Sequence, residues 1–293
     1  MKVFFKRLGV ILGVLIGVVA VFVIGVIVVS NARINKTYDV ETATLTIPTD
    51  AESIAAGQHM SVVRGCIDCH GEDLSGAVFM DDPAMGTLIA PNLTGGKGGA
   101  ENFSSADWDR AIRYGVGPDK KPLLFMPAHE FYVLSDNDLA ELIAYFRSLD
   151  PIDNPLPDSK VGLMSRALFL AGQFPLLPAE LIDYDAARSD LTNAEVSVEY
   201  GKYLAAGCVG CHGEDYSGGP IAGMPPDTPP AANLTPGGHL GQWSEAEFKD
   251  VLRTGVRPDG TIVDPVMPIS AVGKMTDDEL SALWLFFQSL PAK

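Results

Sequence analysis

The chain has 293 residues, enough for two domains, and carries a formal net charge of −16 with 47% apolar residues. Three of its 21 basic residues precede position 30 and all 37 acidic residues follow it, so the part beyond position 30 carries −19. That balance argues against nucleic acid and against adsorption to anionic lipid, and it suits a partner with a basic docking surface.

The first expected element is a membrane span. Leu8 to Val29 is an uncharged run of 22 residues, about 33 Å long as a helix and sufficient for a bilayer core. Lys2, Lys6 and Arg7 precede it. By the positive-inside rule, residues 1–32 are then a cytoplasmic N-terminus and a single-pass anchor in the cytoplasmic membrane, with everything beyond on the periplasmic side. Ser30 and Ala32 offer small residues for cleavage of a signal peptide, but such a peptide has an apolar core of only about 7–15 residues. Length favours a retained anchor.

From residue 48 the chain is a duplication. GCIDCHGEDLSG at 65–76 returns as GCVGCHGEDYSG at 207–218, NLT at 92–94 as NLT at 233–235, and FMP at 125–127 as VMP at 266–268. FSSADWDRAIRYGVGPD at 103–119 likewise returns as WSEAEFKDVLRTGVRPD at 243–259. The expected domains are 48–150 and 191–293, joined by 151–190. Each half is expected to open on a helix capped by Thr-x-x-Glu (Thr49 with Glu52, Thr192 with Glu195). Each is expected to close on another capped helix (Ser135 with Asp138, Thr276 with Glu279). Leu139, Leu142, Ile143, Phe146 and Leu149 form a helical stripe that Leu280, Leu283, Trp284, Phe287 and Leu290 repeat. No run alternates for long enough to demand a sheet, so the expected fold class is mainly α. In the joining segment, DPIDNPLPDSK reads as a Pro-rich connector. The apolar stretch 161–182 reads as a strap packed between the halves, or else as a docking patch for a membrane partner.

All four cysteines lie in two Cys-x-x-Cys-His motifs, the attachment signature of c-type haem. Cys66 and Cys69, and again Cys208 and Cys211, are one helical turn apart and can reach the two vinyl groups on one porphyrin edge. His70 and His212 then ligate the iron. A zinc site wants four ligands in one place, a thioredoxin-like pair wants a βαβ context, and a disulfide would leave the repeated histidine without a role. Two covalently attached haem c groups are expected. Met126 and Met267, each followed by proline at matched positions, are the expected sixth ligands. His129, three residues beyond Met126, is the rival in the first half. Met80, Met85, Met224 and Met275 read as packing, and His59 and His239 as exposed or capping residues.

On these motifs each half resembles a class I cytochrome c domain, and the whole resembles membrane-anchored dihaem c-type cytochromes. The resemblance implies a helical haem domain in each half behind a transmembrane helix. It implies that the Pro91 carbonyl in APNLT accepts the His70 ring N–H, a place taken by Ala232 in the second copy. Gly57 and Gly201 would let the first and last helices of each domain cross closely. Arg113 and Arg253 would pair with haem propionates, or else remain solvated. The function implied is electron relay outside the cytoplasmic membrane, as subunit or partner of a respiratory or photosynthetic oxidoreductase complex. The cytochrome subunit of a periplasmic dehydrogenase is one alternative. A dihaem peroxidase is another, disfavoured by the matched methionines.

Overall fold

The uncharged N-terminal run forms one helix. In a computed structural model, which describes residues 2–186, 188, 194–225 and 227–293, α1 spans Lys2–Ile34. It stands exposed from Val3 to Phe22, and only its last turns, at Val26 and Ser30, are buried.

Each half is then built on a pair of crossing helices. In the first, α2 (Ala51–Val63) crosses α6 (Asp136–Ser148), with α3 (Cys66–His70), α4 (Ser105–Tyr114) and α5 (Ala128–Phe131) around them. In the second, α8 (Val198–Ala205) crosses α12 (Asp277–Ser289), with α9 (Val209–His212), α10 (Glu245–Thr254) and α11 (Ile269–Val272). The apolar stripes of α6 and α12 face inward: Leu139, Leu142, Ile143, Phe146, Leu280, Leu283 and Phe287 are buried. One apolar cluster runs through both halves, from Trp108 and Phe146 to Tyr203 and Phe286.

The close crossings rest on two glycines. A Cβ at Gly57 would overlap the Glu141 carbonyl oxygen and stand 2.9 Å from the Tyr145 Cβ. One at Gly201 would overlap the Ala282 carbonyl oxygen and stand 2.7 Å from the Phe286 Cβ.

Several expectations need correction. A small sheet is present: β1 (Ala77–Asp82) pairs antiparallel with β2 (Gly86–Ala90), which pairs with β3 (Lys160–Val161). These strands are too short to show a period, and the third comes from a segment 70 residues away. Helix α2 is capped by Asp50, whose carboxylate accepts from the Ser53 N–H at 2.9 Å, and not by Thr49. Helix α8 starts three residues after Glu195 with Ser197 as its cap; Thr192 lies outside the described residues. Adjacent oxygen-bearing residues are all competent caps, so sequence alone leaves the start ambiguous. Met224 is exposed, whereas Met275 is buried and Met80 and Met85 pack on an apolar cluster.

The strap also lies elsewhere. Residues 161–182 contain α7 (Leu163–Leu170) and pack between α1 and the first domain, where Phe169, Phe174, Leu176 and Leu177 bury themselves with Leu88, Ile34 and Phe125. The second domain meets the strap at Gly223, beside Phe174 and Pro175.

Candidate haem sites

The two motifs fold alike. Helix α3 begins at Cys66, carries Cys69 one turn on and ends at His70, and a 3-10 turn (Ala206–Cys208) leading into α9 places Cys208, Cys211 and His212 likewise. Both histidines are buried. The Nδ1 of His70 lies 2.7 Å from the Pro91 carbonyl oxygen, and that of His212 lies 2.7 Å from the Ala232 carbonyl oxygen. A carbonyl only accepts, so Nδ1 carries the proton and Nε2 is the basic nitrogen in each ring. Burial pushes both imidazoles below their ordinary value, and the carbonyl bond only partly offsets this. The neutral form, the one that can ligate a metal, is therefore favoured.

The surrounding turns repeat in detail. The carbonyl of each histidine accepts the N–H of the residue six further on, Gly76 at 2.8 Å and Gly218 at 2.9 Å. Leu74 and Tyr216 occupy the same left-handed conformation, φ +57° and +58°, a strained state for a non-glycine residue that the fold imposes twice. Met126 and Met267 share a local turn as well: their carbonyls accept the N–H two residues on, of Ala128 and Ile269, at 2.7 Å in each case. Met126 packs in the cluster that contains Cys66 and Ile67, and Met267 is half-buried.

These residues fit haem c. Each domain presents two half-buried or exposed thiols one helical turn apart, and beside them a buried imidazole whose Nδ1–H is already satisfied. Among the described residues neither Nε2 has a hydrogen-bond partner.

The arginines are largely committed to the protein. Buried Arg113 places Nη1 3.2 Å from Asp109 Oδ1, and its Nη2 reaches Asp136 Oδ1 at 2.8 Å and the Leu134 carbonyl at 2.6 Å. Only its buried Nε is without a partner. Arg253 binds the carbonyls of Gly273 and Met275 and the Asp277 carboxylate. Both tie the end of one helix to the start of the last. His129 separates the two domains: it is mostly buried, its Nδ1 has no partner, and burial lowers its pKa. The matching position in the second domain is Ser270.

Sequence reasoning missed the junction between the domains. His59 and Tyr203 each stand two residues beyond their crossing glycine. Each reaches the carboxylate in the first turn of the other domain's last helix. His59 Nε2 lies 2.9 Å from Glu279 Oε2, while the Tyr203 hydroxyl donates to Asp138 and accepts the Ser135 N–H at 3.2 Å. The junction is thus a pseudo-twofold one, with like elements meeting reciprocally. Glu279 completes a full capping box with Thr276. The shorter Asp138 leaves the Ser135 N–H to Tyr203. Arg64 adds an unsymmetrical clamp, with Nη1 3.3 Å from the Leu204 carbonyl and its guanidinium 5.2 Å above the Tyr203 ring. Glu130 lies against Gly210, and burial pushes it up to about 7 despite Arg64. Both motifs therefore border this junction.

The junction carries a pH signature. The Glu279 bond raises the His59 pKa against the opposing effect of burial. Burial alone would raise Glu279, but the His59 bond and the Thr276 N–H hold it below its usual range. A raised histidine stabilises below its unfolded pKa and loses that contribution as pH rises through the folded value. A depressed carboxylate loses its contribution as pH falls through the folded value. Docking is therefore expected to be firmest between the two values. Protection factors at the first turn of α12, corrected for the intrinsic pH dependence of exchange, should fall as pH rises past the His59 value, and His59→Ala should remove that fall.

The comparisons agree with this geometry. The family described as Cytochrome c matches residues 54–150 and 198–291. Among curated relatives, the gluconate 2-dehydrogenase cytochrome c subunit of Pantoea cypripedii is 28% identical over 82% of this chain and 60% of its own length. The alcohol dehydrogenase (quinone) cytochrome c subunit of Gluconobacter oxydans is 33% identical over 44% of this chain and 28% of its own. The fructose dehydrogenase cytochrome subunit of Gluconobacter japonicus is 30% identical over 32% and 21%. The chain thus spans less than two thirds of the length of these relatives. Both family matches contain a buried histidine held by a carbonyl behind paired cysteines, and the chain belongs to the cytochrome c family, with a covalently bound haem c in each of its two matched regions.

Proposed function

We propose that this chain is a membrane-tethered, two-haem electron relay and the cytochrome subunit of a dehydrogenase complex on the periplasmic side of the cytoplasmic membrane. The observation that carries the reading is the pair of matched imidazole sites bordering one pseudo-twofold junction. Three of the relatives are themselves cytochrome subunits of dehydrogenases. Haem c supplies a one-electron iron couple when bound. Cys66, Cys69, Cys208 and Cys211 hold it by thioethers. His70 and His212, oriented by their carbonyl partners, would ligate its iron through Nε2, and Met126 and Met267 would supply the other protein ligands. The unpaired Nε of Arg113 is the donor left for a propionate in the first domain, while Arg253 acts through its helix-tying bonds. Helix α1 crosses the membrane with Lys6 and Arg7 inside.

With a histidine and a methionine holding each iron, little would rearrange on gaining an electron and peroxide would find no vacant position. The acidic domains steer a basic docking surface, on the dehydrogenase or on a soluble carrier. Stopped-flow oxidation of the reduced protein by a basic carrier should be fast and should slow as salt rises, and mild-detergent purification should bring a dehydrogenase subunit along. Salt-independent exchange, or peroxide turnover at about 1–10³ s⁻¹, would sink the relay reading.

A further inference from the structure

The strap is fixed to the end of α1. Arg166 Nη1 donates to Ser30 Oγ and Asn31 Oδ1, both at 2.8 Å. Arg33 pairs with Glu180 and lies 4.0 Å above the Phe169 ring. These contacts set a register. Arg166, whose Nε donates to the Val161 carbonyl at 3.2 Å, meets residues 30–31 at the start of α7, and Phe169 meets residue 33, so α7 runs alongside α1 in the same direction and Leu163 falls within a turn of Ile27 and Ser30. A bilayer core about 30 Å thick takes about 20 helical residues. Counted from Leu8, the first residue after Lys6 and Arg7, the span ends at about the level of Ile27. Leu163 and Met164 therefore stand at the outer edge of the hydrocarbon. They are 45% and 49% exposed, on a helix whose other face is buried through Ser165 and Phe169.

We propose that the first turn of α7 is a second membrane contact. Leu163 and Met164 enter the acyl boundary of the outer leaflet and seat the first domain against the bilayer at a fixed tilt. The occupant is lipid because the patch is continuous with the span itself, at the same depth. The neighbouring hairpin turn keeps the insertion shallow. Its backbone grips α7 through the Met85 carbonyl, 2.7 Å from Ser165 Oγ. The exposed carboxylates of Asp81 and Asp82, with Lys160, line an open 490 Å³ cleft beside it, and these groups belong at headgroup level.

The inference rests on α1 crossing the membrane, and the test separates the two. The full-length protein is made with p-benzoylphenylalanine in place of Val14, Met164 or Ile262, checked for two haems per chain, placed in phosphatidylcholine vesicles and illuminated. Lipid adducts are expected at positions 14 and 164 and none at 262, which is 76% exposed on the second domain. Adducts at 14 without any at 164 would overturn the seat and leave the anchor standing. In native membranes, an adduct at 164 to protein instead of lipid would also overturn it. Loss of the adduct at 14 would overturn both.

Discussion

Gly201→Ala is expected to keep the second haem domain from closing. The added methyl would overlap the Ala282 carbonyl oxygen and come within 2.7 Å of the Phe286 Cβ. Neither is the free end of a flexible side chain, so α8 and α12 must separate. Overpacking costs about 1–3 kcal/mol where side chains can adjust, and here backbone must move, which puts the cost at about 3 kcal/mol or more. For a domain of this size that corresponds to a fall in Tm of about 10–20 °C. The separation also displaces Tyr203, two residues on, from Asp138 and Ser135 of the other domain. Thermal unfolding should show a large drop in the second domain's transition, and haem per chain should fall towards one. Gly95→Ala, where nothing stands within 4 Å of the new Cβ, should be silent. A Gly201→Ala protein with two haems and an unchanged Tm would refute the close-crossing account.

The methionine variants should behave differently in the two domains. Met267→Ala removes a sulfur from a turn followed by Pro268, Ile269 and Ser270, none of which offers a strong ligand. The second domain should become high-spin and bind added imidazole or cyanide readily. Met126→Ala leaves His129 three residues away, mostly buried and with an unpaired Nδ1. There the expected product stays low-spin, with two imidazole ligands and a lowered potential, because methionine ligation raises it. The weak red charge-transfer band of an Fe–S bond should fall by about half in each single variant. Near-infrared and electron-spin spectra distinguish the outcomes, and Met126→Ala with His129→Ala should convert the first domain to the high-spin form. If Met126→Ala leaves the band untouched, the sulfur is not the ligand.

Much of the candidate site was legible because it is local. Cys-x-x-Cys-His is five residues long, and the duplication shows which neighbours travel with it. The same comparison picks out Met126 with Met267, while Gly57 and Gly201 are what the resemblance to class I cytochrome c domains implies. What stayed hidden depends on pairs far apart in the chain. His59 looked like an exposed residue because Glu279 lies 220 positions away. Arg113 looked free for a propionate because nothing local shows that Asp136 and the Leu134 carbonyl reach it first. The strap's apolar composition was plain, but its partner was not. Its register against α1 is set by Arg166 and Arg33, whose acceptors Ser30, Asn31 and Glu180 become neighbours only once the chain has turned back on itself.

The reciprocal junction also bears on how the two halves stay in touch. Among the described residues its specific polar bonds are few: one histidine–carboxylate pair, one phenol that donates to a carboxylate and accepts a backbone N–H, and one arginine on two carbonyls. As an encounter between separate molecules, these polar contacts alone would give a weak and dilution-sensitive dimer, and the apolar cluster shared by the halves adds to them. Here the partners share a chain, which makes their encounter intramolecular and gives each an effective concentration independent of dilution. Reassociation is first-order, so diluting the protein leaves the coupling between the halves unchanged. A junction under that condition needs only to select an orientation, and it can open and reclose without the halves ever losing each other.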